Sequence, residues 1–152
     1  MSQNAAQTYL RAKVLTATPE QLQLMLYDGA IRFTEQGRNA LMEKKFEQTF
    51  ELLTKAQRII NELQCTLKHD LAPELCGKLA SLYNFVYRKL VEGNTEHKVE
   101  PLDEALHILR YQRDTWALLL QQMAKSKVAS AANRLDIPAP SSRMEANLSR
   151  VA

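Results

Sequence analysis

Thr18-Pro19-Glu20-Gln21 fixes where a helix begins. The Thr18 hydroxyl can accept an orphan amide of the first turn, and Gln21 can reach back to close a capping box. Pro19 falls at the first helical position, where its missing N–H costs nothing. The helix that follows is apolar on more than one side. Leu22, Met25, Leu26, Gly29 and Phe33 keep the spacing of one buried stripe, and Leu24, Tyr27 and Ile31 make a second, at about 100° per residue. One stripe docks a helix into a bundle. The second has to face another helix, the chain's own N-terminal segment or a partner. Gly29 sits mid-helix at about 1 kcal/mol relative to alanine, which is tolerable where another backbone crosses close by.

The rest of the chain repeats the amphipathic pattern. The first helix spans about residues 19–42, and Glu43-Lys44-Lys45 is a short connection that makes the next helix return antiparallel. The second, about 46–68, carries Phe46, Phe50, Leu53, Ala56, Ile60, Leu63 and Leu67 in steps of three and four, with Leu52 and Ile59 as a minor face. Pro73 opens a third helix, about 73–92, with Leu75, Leu79, Leu82, Val86 and Leu90 on one side. Gly93-Asn94 reads as its stop, the glycine supplying a left-handed backbone. After a polar loop, Pro101 opens a fourth helix, about 101–125, with Leu102, Leu106, Leu109, Trp116, Leu120 and Met123 inward.

Four such segments with short links predict an all-α fold, an antiparallel four-helix bundle. The organisation expected is one bundle domain over 1–127, with an N-terminal arm over 1–17. Residues 128–152 follow as a second segment, in which a short alanine-rich fifth helix over Lys125–Leu135 gives way to a loose tail from about Asp136.

Composition narrows the function. A formal charge of +3, with acids interleaved among the bases, does not gather the cationic face that nucleic acid needs. Neither a signal peptide nor a membrane-length apolar run appears, which predicts a soluble, cytoplasmic protein. Cys65 and Cys76 read as reduced thiols at or near helix surfaces. Glu104-Ala-Leu-His107 has the Glu-x-x-His spacing of di-iron bundles, but no second such element accompanies it. His69, His97 and His107 stand on separate segments, and the 4 glycines are isolated rather than gathered in a phosphate loop. No enzyme and no cofactor are expected.

What remains is surplus apolar surface, because three of the four helices carry a second stripe and such surface on a soluble protein marks an interaction groove. Tyr27, Ile31, Ile59, Tyr83 and Tyr87 are the candidate groove residues, although aromatic groups at helical spacing are ordinarily core.

Several blocks carry a resemblance: Tyr9 and Val14, Thr16-Ala-Thr-Pro-Glu-Gln-Leu, Leu24-Met-Leu-Tyr-Asp-Gly, Lys55-Ala-Gln-Arg-Ile-Ile-Asn-Glu-Leu, Leu82-Tyr-Asn-Phe-Val-Tyr-Arg-Lys-Leu-Val-Glu-Gly-Asn and Arg113-Asp-Thr-Trp. From Tyr9 to about Met123 the chain resembles the flagellar secretion chaperone family FliS, with the blocks in that family's order. The resemblance implies a chaperone that binds the disordered C-terminal segment of flagellin, one to one, in the cytoplasm. It implies further that the chaperone prevents early polymerisation and delivers its client to the flagellar type III export gate. Tyr9 and Val14 then correspond to an arm that covers or frames the groove. No nucleic acid and no membrane insertion are implied, and the state expected is a monomer or weak homodimer. The tail beyond Lys127, with Arg134, Arg143 and Arg150, has no counterpart in the resemblance. Two other readings stay open: a bundle with a metal or small-molecule site, and a self-associating adaptor.

Overall fold

The computed structural model describes residues 2–136, and the tail expected from about Asp136 onward lies almost wholly outside them. Five helices follow one another: α1 (Ser2–Thr16), α2 (Pro19–Met42), α3 (Phe46–Cys65), α4 (Pro73–Glu96) and α5 (Glu100–Asp136). The chain divides into two compact units between Trp116 and Ala117.

The first unit is an antiparallel bundle of α2, α3, α4 and the N-terminal part of α5, with α1 added. The capping box forms as its residues dictate: the Gln21 amide donates to Thr18 Oγ1 at 3.1 Å and the Thr18 amide to Gln21 Oε1 at 3.0 Å. Between α2 and α3, Gly29 lies opposite Ile59 and Gly37 opposite Leu53, an antiparallel register. Between α3 and α4, Gln64 donates to the Ala80 carbonyl and to Asn84. α2 and α5 are tied by Arg38 to Asp103 at 2.5 Å, Arg110 to Glu35 at 2.6 Å and Arg113 to Asp28 at 2.8 Å. The Trp116 indole N–H extends this seam, donating to the Glu20 carbonyl at 2.9 Å.

The core is mainly aliphatic, with Leu53, Ala56, Ile60 and Leu63 from α3 meeting Val86 and Leu90 from α4 and Leu102, Ala105 and Leu109 from α5. Each large aliphatic side chain so buried contributes about 1.5–3 kcal/mol.

Four local expectations are corrected. The N-terminal arm is a helix, α1, because its alanines and long side chains favour that state. The stop at Gly93 falls elsewhere: α4 continues to Glu96 and His97 takes the left-handed conformation at φ 52°. Gly93 is instead buried in the helix, where Leu102 packs so closely that an added Cβ would lie 2.5 Å from its Cδ2. On α3, Thr49 is buried in place of Phe50, which is 60% exposed, while Phe46 stacks on the His97 ring at 4.1 Å. Cys76 is buried and only Cys65 is exposed.

In the second unit, Ala117–Asp136 continues α5 without the break expected near Lys125. Leu118 and Val128 on it are exposed.

Candidate functional site

α2 has to satisfy two apolar stripes, and the structure assigns them to different duties. The inward side runs Tyr27, Ala30, Thr34, Gly37 and Leu41, all buried. The other side, Leu22, Met25, Leu26 and Gly29, borders a cleft of about 620 Å³. Leu10 and Val14 of α1 and Ile59 of α3 form its other walls, with Lys13, Asp28, Arg32 and Glu62 at the margins. Leu22, Met25, Leu26 and Ile59 are only half-buried, and Leu10 and Val14 remain 49% and 41% exposed. α1 therefore frames the cleft without filling it. Gly29 keeps the floor low, since a Cβ there would come within 3.1 Å of Ile59 Cδ1. What approaches Gly29 is this side chain, rather than the crossing backbone that its position in the sequence suggests.

The residues singled out from the sequence divide accordingly. Val14 and Ile59 line the cleft. Tyr9, 70% exposed on α1, stands outside it. Ile31 and Tyr87 are half-buried against the core, Tyr87 beside a shallow hollow shared with Ser81, Asn84 and Arg88.

Tyr27 and Tyr83 are a correction: at 2% and 1% exposure they belong to the core, because their hydroxyls satisfy each other at 2.5 Å and so remove the obstacle to burial. Their rings lie 6.4 Å apart and tilted. Burial is the main cause that raises both phenol pKa values above the ordinary tyrosine range, and for Tyr83 the bond to Tyr27 adds to the rise. These are neutral, inert hydroxyls at any physiological pH. Sequence reasoning missed Leu10, Leu22, Met25 and Leu26 as cleft residues. Their signal was present in the stripe that runs straight on from the helix cap.

Among the described residues no three of His, Cys, Asp or Glu come together as metal ligands, and no helix is long and apolar enough to cross a membrane. Apolar walls on three helices, with charges at the margin, suit a helical segment of another protein.

Comparison with known proteins bears on what that segment belongs to. The family described as "Flagellar protein FliS" matches residues 1–123 of the chain. The chain belongs to the FliS family. The flagellar secretion chaperone FliS of Bacillus subtilis (strain 168) is 34% identical over 128 residues, covering 84% of this chain and 95% of that protein. FliSB of Pseudomonas aeruginosa is 31% identical over 72% of this chain and 87% of its own length. FliS of Salmonella typhimurium is 30% identical over 73% and 83%. A crystal structure of a bacterial flagellar chaperone, 23% identical, matches with a TM-score of 0.65 over 80% of this chain and 99% of its own, which establishes the shared fold. As a FliS-family protein the chain is a secretion chaperone of flagellum assembly, and a flagellar protein is its kind of partner.

Proposed function

We propose that the chain is a cytoplasmic export chaperone whose client is the disordered C-terminal segment of flagellin. The client is held one to one in the cleft between α1, α2 and α3 and passed to the flagellar type III export apparatus. The observation that carries this reading is the half-covered apolar cleft, its walls on three helices, in a FliS-family chain. A client segment folds on contact, setting apolar residues at i, i+3, i+4 and i+7 against Leu22, Met25, Leu26 and Ile59. While it is bound, the apolar faces it would offer to a growing filament are withheld, and premature polymerisation is prevented. Ordering the segment costs about 2–5 kcal/mol, which keeps the complex reversible enough for handover. The chemistry needs no cofactor and no covalent step.

The test is calorimetric titration with a peptide from the last 40 or so residues of the host flagellin, a length set by a few helical turns across a small domain. Ile59→Ala should weaken binding by about 1–3 kcal/mol, as expected for a wall residue of the cleft. Tyr27→Phe, a change in the core, should leave affinity unaltered while lowering stability. No heat and no complex with the unaltered chain would refute the reading, and so would equal affinities of the unaltered and Ile59→Ala chains.

A further inference from the structure

We infer that the cleft is selective for charge: it takes amphipathic client helices whose apolar stripe is bordered by acidic residues, which meet Lys13, Arg32 and Lys55. This rests on the cleft being the client site. Four charged residues stand at its margin, Lys13, Asp28, Arg32 and Glu62. Asp28 is already engaged, with Arg113 Nε 2.8 Å from its carboxylate. Lys13 and Arg32 have no carboxylate within 4 Å among the described residues. The margin is therefore left with two open cations against the single acid Glu62.

The cleft's direction adds a third cation. Gly29 and Ile59 line its floor, and one turn further along the antiparallel pair stand Phe33 on α2 and Lys55 on α3. The Phe33 ring, half-buried, holds the Arg32 guanidinium carbon 5.0 Å and the Lys55 Nζ 5.5 Å from its centre. A ring attracts each cation weakly at an exposed site, and among the described residues neither cation has a carboxylate within 4 Å. The seam between α2 and α5, which reaches the cleft margin at Asp28, is built otherwise. There Arg38, Arg110 and Arg113 each meet a carboxylate at 2.5–2.8 Å. The cations on the cleft side are left for a partner's acids to complete. A client helix with Asp or Glu beside its stripe finds cations with no carboxylate of their own, whereas a basic one meets like charge.

Three synthetic helical peptides of about 20 residues, some 30 Å long when folded, provide the test. They share one leucine stripe and are flanked by Glu, by Gln or by Lys. Each is titrated into the full chain by fluorescence anisotropy, in about 50 mM and about 500 mM salt, which brackets strong and weak screening. The Glu-flanked peptide should bind roughly 3- to 10-fold more tightly than the Gln-flanked one at low salt, as two or three partly exposed pairs allow. The Lys-flanked peptide should bind least, and high salt should erase the order. The double variant Arg32→Gln/Lys55→Gln, altered at two exposed positions, should shrink the ratio between the Glu- and Gln-flanked peptides, with Lys13 alone remaining to favour the acidic one. Equal affinities of the three peptides for the unaltered chain overturn the inference, and so does a double variant that weakens all three alike. Failure of the cleft itself looks different: no peptide of any charge binds, or Ile59→Ala changes none of the affinities.

Discussion

The pair of tyrosines in the core offers a quantitative test of which stripe of α2 faces inward. Tyr27 and Tyr83 are almost fully buried, and their hydroxyls share a bond of 2.5 Å. Removing one hydroxyl, in Tyr83→Phe, takes away the bond the Tyr27 hydroxyl makes at 2.5 Å, where little water can replace it and Gln23 is the polar side chain left nearby. A buried polar group so stranded costs about 1–3 kcal/mol. Removing both leaves nothing unsatisfied, and replacing both partners by apolar groups of the same shape can be nearly neutral. The double variant Tyr27→Phe/Tyr83→Phe should therefore be more stable than Tyr83→Phe alone. The coupling has to exceed the loss in either single variant, about 2–3 kcal/mol when each loses about 1–1.5, at the upper end of the range for residues in contact. For a chain of this size each kcal/mol shifts Tm by about 2–4 °C, so the single variant melts about 2–12 °C lower and the double recovers most of that. Urea or thermal unfolding followed by circular dichroism measures all four corners of the cycle. Strictly additive losses, or a double variant weaker than either single one, would show that the hydroxyls do not hold each other. A large loss of client affinity with unchanged Tm would place the rings at the binding surface instead.

The same pair sets a limit at alkaline pH. Burial raises both phenol pKa values above the ordinary value of 10.0, so the folded chain holds these protons where the unfolded chain releases them. That stability is fully present below about pH 10 and is lost as pH rises above it, by up to about 1.4 kcal/mol per pH unit for each tyrosine. Comparing unfolding of the unaltered chain and the double phenylalanine variant between about pH 8 and 11 isolates this share from that of the lysines. Two glycines of α4 should respond oppositely to alanine. A Cβ at Gly93 would lie 2.5 Å from Leu102 Cδ2 and 3.2 Å from the Lys98 carbonyl oxygen, so Gly93→Ala should destabilise by about 1–3 kcal/mol. Gly77 meets nothing within 4 Å, and Gly77→Ala should stabilise by about 0.4–1 kcal/mol in the same unfolding assay.

The bundle is legible in the sequence because its boundaries are written in local chemistry. Thr18, Pro19 and Gln21 start α2 where hydrogen bonding within four residues requires it, and Pro73 starts α4 at its first turn. Stripes of leucine on α3, α4 and α5 place most of the core. Less legible are features that depend on what another element brings. Gly93 reads locally as a helix stop, but Leu102 of α5 fills the space above it and the helix runs on to Glu96. Phe46 and Phe50 fit a core period, yet Thr49 takes the buried position because its hydroxyl bonds the Lys45 carbonyl at 2.9 Å. Val14 and Ile59, singled out from the sequence, do line one cleft, whereas Tyr27 and Tyr83 are not legible as a pair: 56 residues separate the two hydroxyls that satisfy each other.

The choice between the stripes of α2 has a physical basis that composition alone conceals. Hydrophobicity favours neither, since Leu22, Met25 and Leu26 are as apolar as Leu24, Tyr27 and Ile31. Close packing of helices, at 8–10 Å between axes, favours the side interleaved with small residues. That side carries Ala30, Thr34, Gly37 and Ala40, all buried, and Thr34 turns its hydroxyl back to the Ala30 carbonyl at 2.7 Å so that no polar atom is left over. The long, flexible side chains then fall to the other side, where Gly29 is the one small residue and Ile59 covers it. Leucine and methionine there can repack around apolar groups of different shape, the property that surfaces meeting varied apolar segments exploit. A helix with two apolar stripes thus declares its inner one by its small residues, and on α2 the adaptable stripe is the one that lines the cleft.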